Sequence, residues 1–272
     1  MNKSPLGEKS ELPDKYDPEI LFPIPRWPSR SLLDIDKKIP LHGFDYWHAY
    51  ELSWLNSNRK PEVGIGKFFF DASSENMVES KSVKLYLHSL SNECFKHSQE
   101  IAAVVAKDLT VVTRSEVIVV INKLSDGESV TLARPPGKCI DGLDIKVSSN
   151  IPDATLLKSA SNKVASVRLF SDLFRSRCPI TGQPDWATFT VEYSGLEIDE
   201  GSLLAYVCSF RNHQSYHEGC AELMFRDIMV QCEPDKLIVG LNYTRRGGLD
   251  INPFRSNNPI SPEHLTFRLE RQ

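Results

Sequence analysis

The alternation of hydrophobic and polar residues predicts strands around one helix in the first half of the chain. Val83, Leu85 and Leu87 alternate with more polar neighbours, which is the two-residue period of a half-buried strand. Ser91 and Asn92 are suitable helix caps, and apolar positions follow them. The predicted elements are strands over residues 67–71, 80–88, 111–121 and 129–132 and a helix over about 91–107.

A similar pattern returns in the second half, although no close sequence repeat accompanies it. Phe189, Val191 and Tyr193 share one face of a predicted strand, and a helical stretch follows further along. Each half therefore reads as strand, strand, helix, strand, strand, and antiparallel hairpins with helices on one face give an α+β class. The predicted elements are strands over 188–193, 203–210, 237–243 and 265–269 and a helix over about 215–230.

Proline and glycine mark the boundaries between the predicted segments. Residues 1–31 hold six of the 17 prolines, and proline fixes φ and removes a backbone donor, so we predict an extended arm that lies on the protein. Chain breakers cluster at 135–137 and 148–152. We therefore predict an N-terminal arm over 1–31, a first module over 32–150 and a second module over 151–272.

Composition narrows the class of protein. The 272 residues, 40% of them hydrophobic, suffice for one large core or two ordinary ones. A net charge of −4 argues against binding to nucleic acid or to an anionic membrane. No apolar run reaches membrane-spanning length and no signal peptide is visible, so we expect a cytoplasmic protein with reduced cysteines.

The segment from Arg175 to Trp186 carries the strongest chemical signal. Arginines precede Cys178, and positive charge favours the thiolate, which is the nucleophilic form. Asp185 follows after a turn that contains Pro and Gly, and a carboxyl group brought close to the thiol could serve as a proton donor or base. Alone, this spacing is weak, because a free cysteine is usually a small buried hydrophobe.

Residues 79–86 and 243–250 combine groups that suit charged ligands. The first segment, Glu-Ser-Lys-Ser-Val-Lys-Leu-Tyr, is most simply an edge strand whose charges face water. In the second, Arg245 and Arg246 precede two glycines, so guanidinium and backbone N–H groups could approach a phosphate together. An ordinary polar turn explains the second segment equally well.

His217 and Glu218 open a predicted helix. They resemble the start of a zinc-protease helix, but that motif needs a second His at position 221, which is Ala here. The carboxylate could cap the helix, or it could bind an amidine-like edge, such as that of guanine, through two parallel hydrogen bonds. We expect no metal site, because the cysteines form no Cys-x-x-Cys pair. Gly64-Ile65-Gly66 begins like a dinucleotide fingerprint, but its third glycine is missing.

Taken together, these four segments resemble the NADPH-dependent 7-cyano-7-deazaguanine reductases, the nitrile reductases of queuosine biosynthesis. Residues 79–86 fit all eight positions of the signature of that family. The segment from Cys178 to Asp185 follows in the second half, which is similar to the long, two-module form of the family. The resemblance extends from about Pro18 onward.

The resemblance implies a fold, an assembly and a reaction. Each module would be a tunnelling-fold unit, an antiparallel sheet with helices on one side, and modules would assemble into a barrel around a pore, with substrate sites where modules meet. A homodimer is implied, with NADPH as cofactor and no nucleic-acid or membrane partner. The implied reaction converts 7-cyano-7-deazaguanine to 7-aminomethyl-7-deazaguanine with two NADPH, through a covalent thioimide.

The resemblance also implies residue roles. Cys178 would add to the nitrile carbon, and Asp185, kept protonated by burial that raises its pKa, would protonate the nitrile nitrogen. His217 would lie by the nitrile and assist proton movement. From adjacency alone, Trp186 and Phe189 could form an apolar wall. The other implied contacts are with the deazapurine, by Val78, Glu79, Ser80, His217 and Glu218, and with NADPH, by Ser80, Lys81, Arg246 and Gly247.

Two alternatives stay open at this point. The chain could be a tunnelling-fold hydrolase, in which water rather than hydride follows the attack by cysteine, and product would then form without a nicotinamide. It could instead be a non-catalytic purine- or pterin-binding module with an inert, buried Cys178, which would resist alkylating reagents.

Overall fold

The computed structural model describes residues 12–33, 39–124, 132–265 and 267–272. They divide into two units, each built from segments that are distant in sequence. Unit 1 comprises the chain up to Pro28 with Asp45–Thr131 and Arg245–Ile251, and unit 2 comprises Ser29–Phe44, Leu132–Thr244 and Asn252–Gln272. The boundaries predicted for the arm and the two modules stay predictions.

The described residues contain strands of very different lengths and five α-helices. The strands are β1 (Pro23–Pro25), β2 (His42–Leu55), β3 (Pro61–Asp71), β4 (Asn76–Val78), β5 (Val117–Lys123), β6 (Leu132–Ala133), β7 (Lys138–Cys139), β8 (Ser159–Ser171), β9 (Arg175–Arg177), β10 (Pro184–Ile198), β11 (Lys236–Tyr243), β12 (Leu249–Ser256) and β13 (Arg268–Leu269). The helices are α1 (Trp27–Ser31), α2 (Ser80–Ser89), α3 (Ser98–Thr113), α4 (Glu200–Ser209) and α5 (His217–Cys232), and short 3-10 turns lie at Pro18–Ile20, Ala154–Leu156, Phe210–Asn212 and Pro262–His264.

Unit 1 combines a sheet with the helices α2 and α3. β3 lies between β5 and β2 and pairs antiparallel with β5. Trp54 and Phe68 from the strands and Tyr86 and Leu109 from the helices are all 0% exposed and belong to one hydrophobic core. Full burial of a large apolar side chain contributes roughly 1.5–3 kcal/mol, so this core holds the helices on the sheet.

Residues 16–25 lie along unit 1 and bond to it at several points. The Tyr16 hydroxyl donates to Asp108 at 2.8 Å. The Phe22 N–H donates to the Ser82 hydroxyl at 3.0 Å, and the Phe22 carbonyl accepts from the Glu79 N–H at 2.9 Å. β1 pairs antiparallel with β4, which precedes Glu79. The N-terminal segment therefore supports the start of helix α2.

Helix α2 occupies the segment predicted as a strand over 80–88, so that prediction is wrong. Glu79 starts the helix, because its carboxylate accepts hydrogen bonds from two backbone N–H groups of the first turn, both at 2.7 Å. Val83 and Leu87 are buried on the side that meets the core. They are four residues apart, a spacing that places side chains on the same face of a strand and a helix alike. The edge-strand interpretation of residues 79–86 is wrong for the same reason.

Helix α3 also departs from its predicted bounds. It begins at Ser98 rather than near residue 91, and it extends to Thr113, over the start of the strand predicted for 111–121. Arg114 ends the helix in the left-handed conformation, with φ of 56°, and β5 follows. Within the strand predicted over 129–132, residues up to 131 lie outside the described residues, and β6 begins at Leu132. The strand predicted over 67–71 is confirmed within β3.

Unit 2 contains a larger sheet, whose strand order is β12, β11, β10, β8, β7. The pairs β10–β11, β8–β10 and β11–β12 are antiparallel, whereas β7–β8 is parallel. β9 forms a hairpin with the start of β10. Phe189 and Val239 of the sheet share a hydrophobic core with Tyr206 of α4 and Phe225 of α5. All four side chains are 0% exposed.

Helix α4 occupies the segment predicted as a strand over 203–210, so that prediction is wrong. Asp199 caps it by accepting from the Ser202 N–H at 2.7 Å. Five consecutive residues, 203–207, are buried, so the segment shows no helical alternation of apolar and polar positions. Of the described residues in the strand predicted over 265–269, only Arg268–Leu269 form a strand. The strands predicted over 188–193 and 237–243 and the helix over 215–230 are confirmed within β10, β11 and α5.

The mixture of antiparallel and mixed sheets with helices confirms the α+β class. Among the helices that the structure describes, none has the length and apolar character needed to cross a membrane.

A buried ion network links distant segments of unit 2. Glu222 of α5 accepts hydrogen bonds from Arg30 at 2.7 and 3.1 Å and from Arg255 at 2.9 and 3.1 Å. Arg255 is 0% exposed, and it also donates to the carbonyls of Phe44 and Phe254. Two guanidinium groups in a dry environment donate to this carboxylate, so its loss would remove negative charge that compensates for theirs.

We predict that Glu222→Gln destabilises unit 2 by about 3–5 kcal/mol, because both arginines lose their anionic partner inside the protein. Urea unfolding monitored by tryptophan fluorescence measures the change. The matched control is Asp235→Asn, which removes a surface ion pair with Lys163. The side chain of Asp235 is 60% exposed and that of Lys163 is 68% exposed. That control should change stability by less than about 0.5 kcal/mol. Equal effects of the two substitutions would contradict the prediction.

Candidate active site

The hairpin of β9 and β10 joins Cys178 and Asp185 in unit 2. Its turn is closed by two backbone hydrogen bonds, from Cys178 N–H to the Gln183 carbonyl at 2.9 Å and from Gly182 N–H to the Cys178 carbonyl at 3.0 Å. Gly182 has φ of 69°, a conformation that favours glycine. Past the turn, Asp185 pairs with Ser176. The chain reversal therefore returns the aspartate to the level of the residues that precede the cysteine.

Asp185 lies beside the first residue of helix α5. The distance from Asp185 Oδ2 to His217 Nε2 is 3.7 Å, which is too long for a good hydrogen bond but close enough for a strong electrostatic interaction. Asp185 is only 4% exposed. The imidazole packs on the ring of Tyr243, with 3.8 Å between the ring centroids. His217 is thereby held in one orientation against the carboxyl group.

Glu218 occupies the next position of helix α5 and is 5% exposed. Backbone N–H groups in the first turn of a helix carry partial positive charge, which stabilises a carboxylate at this position. Unit 2 therefore brings together Asp185, His217 and Glu218, with Cys178 in the adjoining turn.

A second thiol, that of Cys220, lies beneath these residues but is chemically different from Cys178. Burial raises the pKa of Cys220 to about 12, and the carboxyl groups of Asp185 and Glu218 act in the same direction whenever they are ionised. Cys220 therefore stays protonated at neutral pH and cannot serve as the nucleophile. Cys178 is only partly buried, so it is the accessible thiol of this group.

Of the two residues from which an apolar wall was inferred by adjacency, Trp186 lies on the wrong side of β10. Neighbouring strand residues point to opposite faces, so Trp186 does not share the face of Asp185, whereas Phe189, four residues further along the strand, does. The indole of Trp186 is 37% exposed, and Phe189 is part of the core of unit 2.

Unit 1 contains the segment predicted to hold both substrate and cofactor. Val78 ends β4 and is buried, Glu79 caps α2, and Ser80 and Lys81 form the first turn of that helix. Glu79 is 1% exposed and its two oxygens accept from backbone N–H groups. A carboxylate has about four lone-pair sites, so this capping leaves acceptor capacity on the same group.

The turn that contains Arg246 and Gly247 lies against the same helix. Arg246 and Leu249 exchange two backbone hydrogen bonds, and Gly247 has φ of 56°. A Cβ added to Gly247 would lie 2.8 Å from Lys84 Nζ. The absence of a side chain at Gly247 thus lets an ammonium group of α2 approach the backbone of a turn that carries two arginines.

A buried network supports this turn, and the sequence analysis missed it. Asp250 accepts from the Tyr50 hydroxyl at 2.5 Å and lies 2.8 Å from His48 Nδ1, while His48 Nε2 lies 2.8 Å from the Tyr46 hydroxyl. The Arg245 guanidinium stacks 4.0 Å from the Tyr50 ring centroid. Tyr46, His48 and Tyr50 alternate along β2, so their shared face was the available signal.

Comparison with known proteins identifies one family. The family model described as nitrile reductase, 7-cyano-7-deazaguanine-reductase N-term matches residues 12–121, and the model described as QueF-like protein matches residues 184–261. A protein of Dechloromonas aromatica named NADPH-dependent 7-cyano-7-deazaguanine reductase is 46% identical over 98% of this chain and 95% of its own length. Proteins with the same name from Hahella chejuensis and Coxiella burnetii are 43% and 42% identical, again over 98% of this chain and over 97% and 96% of their own lengths.

We predict that a thiol reagent such as Ellman's reagent at about pH 8 modifies Cys94, Cys139 and Cys178 in the folded protein but leaves Cys220 and Cys232 unmodified. The first two are exposed, whereas the last two are buried with a raised pKa. Peptide mapping of the labelled protein gives the sites, and labelling in denaturant provides the control, in which every cysteine reacts. Rapid native labelling of Cys220 would contradict this assignment.

Proposed function

The chain belongs to the NADPH-dependent 7-cyano-7-deazaguanine reductases, and on that premise we propose that it reduces the nitrile of 7-cyano-7-deazaguanine to the aminomethyl group of 7-aminomethyl-7-deazaguanine, in queuosine biosynthesis. The observation that carries the proposal is the hairpin that joins an accessible Cys178 to a buried Asp185 beside His217. The names of the similar proteins favour this reduction over the hydrolytic and non-catalytic alternatives.

Cys178 is the proposed nucleophile. Its sulfur attacks the nitrile carbon as the thiolate, after the thiol has lost its proton, and the electron pair of one C≡N π bond moves to nitrogen, which takes a proton from Asp185. The product of this step is a covalent thioimide. Asp185 is suited to the donor role because its carboxyl group is almost fully removed from water and charged carboxylates are disfavoured there. His217, 3.7 Å from that carboxyl group, is positioned to return a proton to it.

Recognition of the deazapurine is proposed for two carboxylates. Glu218 would accept from the 2-amino and ring N–H groups of the substrate in two parallel hydrogen bonds. Val78, Glu79 and Ser80 are proposed as the other substrate-binding segment, with the orientation of the Glu79 carboxylate fixed by its capping bonds. A carboxylate held in place before the ligand arrives loses little conformational entropy on binding.

The residues around Gly247 fit a phosphorylated nicotinamide cofactor. Ser80, Lys81, Arg246 and Gly247 are the proposed contacts, and Lys84 adds a further positive charge 2.8 Å from the site that a Cβ of residue 247 would fill. Guanidinium and ammonium groups around a glycine turn suit phosphate oxygens. When bound, NADPH supplies hydride, one for each of the two reductions between nitrile and amine.

We also propose the finer architecture and location that the family resemblance implies. Residues 32–150 and 151–272 would be tandem tunnelling-fold modules that assemble into a barrel, preceded by an N-terminal arm over 1–31. The protein would be a homodimer and would act in the cytoplasm. All six cysteines are free thiols, which suits a reducing compartment.

We predict that 7-cyano-7-deazaguanine, added without NADPH, raises the intact mass of the protein by one substrate molecule, and that Cys178→Ala abolishes this adduct and NADPH oxidation. Intact-mass spectrometry followed by peptide mapping locates the adduct. The control is Cys94→Ala, which removes an exposed thiol and should form the adduct like the unsubstituted protein. Normal turnover by the Cys178 variant would refute the nucleophile assignment.

We predict that Gly247→Ala raises the KM for NADPH about tenfold, because the added Cβ is strained at φ of 56° and displaces Lys84. Adduct formation at Cys178 in the absence of NADPH should not change, which separates a cofactor defect from misfolding. Gly142→Ala is the matched control, since a Cβ there meets nothing within 4 Å. An unchanged KM in the Gly247 variant would remove this turn from the cofactor site.

A further inference from the structure

The hairpin of β9 and β10 has a second face with its own chemistry. Residues that pair directly across an antiparallel ladder point to the same side of the sheet. Ser176 and Asp185 are such a pair and lie on the buried face, together with His217. Arg175 pairs with Trp186 one position along, so these two side chains lie on the opposite face.

Three guanidinium groups gather on this opposite face. Arg177 is two residues from Arg175 and therefore shares its side of β9. Arg211 comes from the 3-10 turn Phe210–Asn212, which is tied to β9 by the hydrogen bond from Arg177 N–H to the His213 carbonyl at 2.8 Å. The guanidinium carbons of Arg175 and Arg211 lie 5.5 and 6.0 Å from the centroid of the Trp186 ring.

In the part of the chain that the structure describes, these arginines lack the carboxylate partners that the buried Arg26, Arg30 and Arg255 have. Among the residues that the structure describes, no carboxylate lies within ion-pair distance of Arg175, Arg177 or Arg211. The Nε–H groups of Arg175 and Arg177 find no acceptor among the described residues. Burial, and then the charges of Arg211 and Arg177, lower the pKa of Arg175. Arg175 and Arg177 are half-buried and Arg211 is exposed, so three neighbouring positive charges are accessible to an anion from outside the protein, which would compensate for their mutual repulsion.

We infer that Arg175, Arg177 and Arg211 form an anion site that binds a phosphoryl group of NADPH. The inference rests on the proposed function for the identity of the ligand: the deazapurine carries no anionic group, so NADPH is the reactant that supplies phosphates. Guanidinium forks match phosphate oxygens in geometry, and stacking on Trp186 holds two of them in place before the ligand arrives. This site is separated from the Cys178 and Asp185 chemistry by the thickness of the hairpin.

The test measures the Kd of NADPH and of NADH by calorimetric titration, which requires no turnover. We expect Arg175→Gln and Arg211→Gln each to weaken NADPH binding about tenfold, the effect of one lost charge-assisted contact. Arg211→Lys should recover part of the affinity because it keeps the charge. The control is Arg168→Gln on β8, a 52% exposed arginine paired with Glu192, which should bind NADPH normally.

The two cofactors distinguish which phosphate is bound. If the Gln variants bind NADPH more weakly but bind NADH normally, the cluster binds the 2′-phosphate. If their affinity falls equally for both cofactors, the cluster binds the pyrophosphate. Unchanged NADPH affinity in both Gln variants overturns the inference, as does a loss that the Arg168 variant shares. Slower alkylation of Cys178 with unchanged NADPH affinity also overturns it, because the cluster would then act on the thiol. Failure of the unsubstituted protein to reduce the nitrile would refute the proposed function, while these titrations would still test the anion site.

Discussion

The closed turn between β9 and β10 is the constraint on which the chemistry of unit 2 depends. Two backbone hydrogen bonds and one glycine with positive φ reverse the chain between Cys178 and Asp185. The reversal sets the register of the hairpin, and the register decides which side chains face the helix α5 and which face away. A shift of one residue would exchange the carboxyl group of Asp185 for the indole of Trp186 on the buried side.

Burial divides the ionisable groups of this unit into two kinds. Glu222 neutralises the guanidinium groups of Arg30 and Arg255, so that network serves the fold. Glu218 instead lies at the start of α5, and Asp185 of β10 lies beside it. The thiol of Cys220 in this region is kept neutral, whereas the thiol of Cys178 is accessible. Charge is costly in a dry environment. For this reason the buried arginines need the carboxylate of Glu222, and for the same reason the thiol of Cys220 stays neutral while Cys178 is the accessible thiol.

The motifs in the sequence sufficed to predict the family, whereas only some of the helices and strands that carry those motifs could be predicted. The α+β class, the strands containing Phe189 and Val239 and the helix α5 could be predicted, since their alternation is clear. Helix α2 could not, because Val83 and Leu87 suit either period and the capping bonds of Glu79 are visible only in three dimensions. Helix α4 is buried on nearly all sides, which removes the periodic signal. The network of Asp250 with β2 joins residues about 200 positions apart, so local pattern could not reveal it.

The attachment of the N-terminal segment has a consequence for biosynthesis. Tyr16 and Phe22 are synthesised before their hydrogen-bond partners, Asp108 and Ser82, which follow 92 and 60 residues later. These two bonds of the segment to unit 1 can form only once helices α2 and α3 exist. Unit 1 completes its fold later still, because its segment Arg245–Ile251 is synthesised after Leu132–Thr244 of unit 2.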